Sequence, residues 1–128
     1  MTIFDTDSWL TFSRGDQVLL NCYYQRYITV VNLIELYQGA PDKKTLRQIK
    51  RFVRDSFADV LTLSPATSLL AIDLIERYAL PSGLRLADAF IAAIALNQGA
   101  TLVSGNYKHF RDIAGLALEV PAYQRQAP

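Results

Sequence analysis

The 128-residue sequence predicts an α/β domain, a central and mostly parallel sheet with helices on both faces. Short runs rich in apolar or β-branched residues recur at 2–4, 28–31, 60–63, 100–103 and 118–120. Between them lie segments with helix-cap signals or helical periodicity. No internal repeat, low-complexity tract or linker composition interrupts this alternation.

Thr2-Ile3-Phe4 reads as the first strand, and it stops at Asp5-Thr6-Asp7-Ser8, which can cap a helix from about Trp9. Residues 15–26 are ambiguous, with a short helix expected after Gly15-Asp16. Ile28-Thr29-Val30-Val31 is β-branched throughout and predicts a buried strand. Asn32 then caps a helix over 33–38, stopped by Gly39 and Pro41. Residues 42–57 form an amphipathic helix whose apolar stripe is Leu46, Ile49, Val53 and Phe57. After the strand at 60–63, Ser64-Pro65 opens a helix in the favoured cap-then-proline order, running to about Tyr78. Pro81-Ser82-Gly83 is expected to be a turn. Residues 86–96 are apolar everywhere except Asp88, which predicts a helix buried on all sides, ending at Asn97-Gln98-Gly99. The strand at 100–103, a short helix around 108–113 and the strand at 118–120 complete the chain. Residues 124–128 are expected to fray.

Composition narrows the class. Length predicts one domain over 1–128, large enough for a core. Hydrophobic residues at 51% and charged residues at 20% are ordinary for a globular protein. The net charge of +1 means that any nucleic-acid contact must use a local basic patch. A single cysteine, Cys22, excludes an internal disulfide and a cysteine-rich zinc site, and reads as an ordinary thiol. The first residues lack the basic and apolar regions of a signal peptide, and no apolar run approaches the ~18 residues of a membrane span. A cytoplasmic protein is the expectation.

The chemistry starts from Asp88. A carboxylate inside an apolar helix loses hydration, at a cost of several kcal/mol unless a cation or hydrogen bonds replace the water. It therefore has a structural partner or holds a metal ion. In an open parallel sheet, functional groups collect beyond the carboxyl ends of the strands. Asp5 and Asp7 follow the first strand, Glu35 lies one helical turn after the second, and Asn106 follows the strand at 100–103. Asp88, just after a turn, can face the same end. Oxygen ligands of this kind suit Mg²⁺ or Mn²⁺. Together with such an ion they would form a hydrolytic site for phosphoryl transfer.

The chain resembles PIN-domain ribonucleases of the VapC toxin type over nearly its full length. The matching pieces are Ile3-Phe4-Asp5-Thr6-Asp7, Thr29-Val30-Val31-Asn32-Leu33-Ile34-Glu35-Leu36, Leu86-Ala87-Asp88-Ala89-Phe90-Ile91-Ala92-Ala93, and the run from Ala100 through Ser104-Gly105-Asn106-Tyr107-Lys108-His109-Phe110. The resemblance implies a three-layer α/β/α sandwich with a central parallel sheet. It also implies Mg²⁺ or Mn²⁺ dependence, endonucleolytic cleavage of RNA, a homodimer, and inhibition by a cognate antitoxin. Asp5, Glu35 and Asp88 match the three core acidic residues. Asn106 falls in the motif that often supplies a fourth acidic or polar group. His109 stands where many relatives carry Asp, so the fourth acidic position is not cleanly filled, and Asp7 is a candidate to compensate.

Each candidate also has a plain structural role. Asp5 can cap a helix, Glu35 can be an exposed helix acid, Asp88 can pair with Arg85, Asn106 can be a turn residue, and His109 can pack. Lys43, Arg47, Lys50 and Arg54, with Lys44 and Arg51 beside them, form one charged helix face. That face is either solvated surface or a track for an RNA backbone. Two rival functions follow. Asp5-Thr6-Asp7 mimics the start of a haloacid-dehalogenase-type phosphatase, but no downstream Gly-Asp-x-x-x-Asp stretch accompanies it. The imperfect fourth position leaves room for a non-catalytic PIN-like module that binds RNA or an antitoxin.

Overall fold

The computed structural model describes residues 1–5, 23 and 25–120. Within them, a five-stranded sheet carries helices on both faces. The elements are β1 (Thr2–Phe4), β2 (Arg26–Thr29), α1 (Val30–Gln38), α2 (Lys43–Ser56), β3 (Asp59–Leu61), α3 (Pro65–Ser82), α4 (Leu86–Gln98), β4 (Thr101–Val103), α5 (Tyr107–Phe110) and β5 (Ala117–Glu119). Strand order is β3-β2-β1-β4-β5, and every pair is parallel. The order reverses direction between β1 and β4, so the switch point of the sheet lies there. The expected helix from Trp9, the one after Gly15, and the frayed tail all fall outside the described residues.

Strand alternation divides the core into two. Ile3 and Leu102, register partners, point to one face and pack with α3, α4 and Phe110. Phe4, Ile28 and Val103, the next register step, point to the other. There Phe4 and Val103 meet Tyr23, Phe52 and Phe57, and Ile28 meets Leu36, Ile49 and Val53. The stripe expected on α2 is confirmed, with Ile49 and Val53 buried and Leu46 and Phe57 half-buried. The buried helix at 86–98 is also confirmed. Ala89 and Ile91 to Ala95 are inaccessible, and exposure is confined to its two ends, Leu86 at 71% and the polar Asn97 and Gln98.

Besides shorter shifts at the ends of β3 and α5, two boundaries differ from the sequence expectation. Val30 and Val31 begin α1 instead of ending β2. Thr29 is the cap, its Oγ1 accepting the Asn32 N–H at 3.1 Å. Asn32 therefore sits inside the helix, fully buried. The strand ends where its neighbours end, because Thr29 pairs with Leu61 at the close of β3. Pairing length outweighs the strand preference of two valines. Further on, α3 continues past Tyr78 to Ser82, through Pro81. A proline in the last turn forfeits one backbone bond. Gly83, at φ +70°, then closes the helix, with Gly83 N–H donating to Ala79 O at 3.0 Å and Leu84 N–H to Tyr78 O at 3.3 Å. No helix among the described residues is long and apolar enough to cross a membrane.

Candidate functional site

Asp5 lies one residue beyond β1, at the carboxyl end of the sheet and beside the switch point. Its backbone N–H continues the ladder to Val103 O at 3.0 Å. By alternation its side chain points to the Ile3 face, under which α4 packs. Ser104, the residue after β4, is its neighbour, and Ser104 Oγ donates to Asp5 Oδ2 at 2.7 Å. From the other flank, Asn32 Nδ2 donates to Asp5 Oδ1 at 3.0 Å. Asn32 is fixed in turn by Thr29 Oγ1, which donates to Asn32 Oδ1 at 2.6 Å. Asp5, Asn32 and Ser104 are all buried, Asp5 at 8% exposure. Hydrogen bonds to both oxygens replace the hydration that a buried carboxylate loses.

Asp88 is the third residue of α4 and is 9% exposed. Its Oδ2 accepts the Arg85 backbone N–H at 3.1 Å, the capping half that an acidic residue supplies at a helix start. The expected alternative, an ion pair with the Arg85 side chain, is replaced by this backbone contact. The same Oδ2 lies 3.0 Å from His109 Nδ1. His109 Nδ1 is also 2.8 Å from Asn106 Nδ2, and the Asn106 backbone N–H donates to Ser104 Oγ at 3.0 Å. A continuous polar path therefore joins Asp5 to Asp88 through Ser104, Asn106 and His109.

The other candidates lie on α1 and α2 or outside the described residues. Glu35 is exposed on α1, one helical turn after Asn32. Among the described residues no three His, Cys, Asp or Glu side chains gather closely enough to hold a metal ion. Asp7 lies outside the described residues. Lys43, Arg47, Lys50 and Arg54 are exposed on α2, whose far end is tied down by Arg26 Nε donating to Ser56 O at 2.9 Å. Arg26 opens β2, so Arg54 lies near the amino ends of the strands, at the opposite end of the sheet from Asp5.

Three participants had no predicted role here: Thr29, Asn32 and Ser104. Sequence marked Asn32 only as a helix cap and Ser104 only as a strand stop. The readable signal was positional, since each is the polar residue at or just past the end of a central strand.

A parallel sheet with a buried acidic residue at its switch point and a second acid on an adjoining helix N-terminus defines a class of α/β domain built to bind at the strand carboxyl ends. A family model described as the PIN domain matches residues 12–116. The chain belongs to the PIN-domain family. It is similar to a chain of a toxin–antitoxin complex from Klebsiella pneumoniae, with 25% identity, 94% of this chain and 98% of that chain covered, and a TM-score of 0.75. It shares its fold with chains of DNA-bound VapBC from Salmonella typhimurium (20% identity, 94% and 97% covered, TM-score 0.78) and of FitAcB from Neisseria gonorrhoeae (20%, 94% and 98%, 0.74). No curated protein matches the chain.

Proposed function

We propose that this chain is a metal-dependent endoribonuclease, the toxin of a toxin–antitoxin pair. The observation that carries the reading is the path of hydrogen bonds joining two buried carboxylates, Asp5 and Asp88, at the sheet's switch point. The donor set consists of carboxylate oxygens, which suits a hard cation. Mg²⁺ commonly binds through one or two carboxylates and keeps several waters, so a two-acid site fits it. Asp5 and Asp88 would hold Mg²⁺ or Mn²⁺, with Glu35 added from α1. Bound there, the ion supplies an activated water and neutralises charge on the phosphoryl group.

The chain's own residues do the positioning. Asn32 and Ser104 fix the Asp5 carboxylate, and Arg85 N–H and His109 fix that of Asp88. Asn106, half-buried at the mouth, orients water or a phosphate oxygen. Asp7 and His109 are proposed substrate contacts, and the exposed Lys43, Arg47, Lys50 and Arg54 a phosphate track. The toxin–antitoxin complex among the structural relatives supports an antitoxin as protein partner, and the proposed assembly is a homodimer.

Purified protein is incubated with bacterial RNA and Mg²⁺ or Mn²⁺, alongside Asp5→Asn and Asp88→Asn. Cleavage is expected from the wild type alone, and sequencing of the cut ends names the target. Undiminished cleavage by either variant overturns the assignment. Binding of RNA or an antitoxin without cleavage establishes the second reading, a non-catalytic module.

A further inference from the structure

We infer that His109 is a positioning residue for Asp88; the inference rests on the nuclease reading above. His109 Nδ1 is 3.0 Å from Asp88 Oδ2. An ionised carboxylate can only accept a hydrogen bond, so Nδ1 must carry a proton to make this contact favourable. That leaves no lone pair at Nδ1 for the Asn106 amide 2.8 Å away. Asn106 is satisfied by turning its amide over, so that Oδ1 accepts from the same N–H. A metal ligand at Nδ1 would need the lone pair that this arrangement removes; Nε2 keeps its own, and an Asn in place of His109 would retain the Nδ1 donor without it.

Asn106 meets the Nδ1 edge, and the turn at Gly83 backs the opposite edge, where a Cβ would come within 3.9 Å of Nε2. Asn106 is itself tied by its backbone N–H to Ser104 Oγ, the hydroxyl that donates to Asp5. The orientation of Asp88 is thus coupled through His109 to the carboxylate on the far side of the switch point. In a metal site, groups that hydrogen-bond a ligating carboxylate commonly change metal affinity about 10–100-fold when removed.

Three variants separate the roles of the ring. Asn at this position places an amide N–H where Nδ1 was, Gln places one where Nε2 was, and Ala places none. Mn²⁺ binding to the full chain is measured by electron paramagnetic resonance and calorimetry, with thermal melts to confirm folding. His109→Ala and His109→Gln are expected to weaken Mn²⁺ binding by about 10–100-fold, while His109→Asn restores most of it. Nitrogen-15 NMR of the wild-type imidazole, without metal, is expected to show the proton on Nδ1. Unchanged Mn²⁺ affinity in the Ala variant, or an imidazole with a bare Nδ1, overturns the positioning role and leaves the nuclease reading standing. A wild type that binds no Mn²⁺ overturns both.

Discussion

Asn32 shows how much one buried amide can carry. It links the cap of α1 to the carboxylate of Asp5, 27 residues earlier, and is itself inaccessible to solvent. Asn32→Ala removes a donor from a buried charged acceptor, and should cost about 2 kcal/mol of stability, measured by urea denaturation. Asp5→Asn should be milder. Its amide can present oxygen to Asn32 and N–H to Ser104 Oγ, whose hydroxyl turns to accept. The double mutant should then lose less than the two single changes added together, and strict additivity would show that the bond gains nothing from the charge on Asp5. The acids themselves were readable from sequence, because Asp5 ends a strand and Asp88 interrupts an apolar run. Their partners were not, because contacts spanning 27 and 99 residues leave no local pattern.

At the scale of elements, α2 carries the testable electrostatics. Asp42 caps it, Oδ1 accepting the Thr45 N–H at 2.7 Å. That backbone donor, then the Thr45 hydroxyl, holds the Asp42 carboxyl below its usual value of 3.8. A carboxyl lowered on folding stabilises the protein above the unfolded value, and the benefit is lost as pH falls through the folded value. Asp42→Asn, which keeps the cap and removes the charge, should flatten this acid-side loss in thermal melts run from neutral to acidic pH. The basic face of the same helix gives another prediction. Lys50→Glu and Arg54→Glu should weaken RNA binding and reduce its salt dependence if the face tracks phosphates, with an unchanged slope marking it as plain surface. Of the two, Arg54 should matter less. It pairs with Asp55 at 3.2 Å and lies toward the end of the sheet away from Asp5. Sequence placed α2 almost to the residue, because Asp42, the apolar stripe and the charged face agree with one another. It misplaced the start of α1, because β-branching at Val30 and Val31 says nothing of where the neighbouring strands stop.

Across the whole molecule, the sheet sits between two unequal cores, and the larger one lies under the α4 face. Phe110 anchors α5, and with it Asn106 and His109, to that core with no exposed surface. Phe110→Ala should cost about 3–5 kcal/mol by chemical denaturation. The parallel, doubly covered architecture was legible because five short apolar runs alternate with helical segments. The strand order was not, since nothing local states that β1 lies at the centre.

That central place for the first strand bears on synthesis. The Asp5 pocket needs Ser104, 99 residues downstream, and the β4 strand that carries it. A nascent chain that has not yet reached Ser104 has the acidic residue but not the wall that holds it. The two ends of this hydrogen bond are thus brought together only after the chain has passed residue 104 and β4 has joined β1.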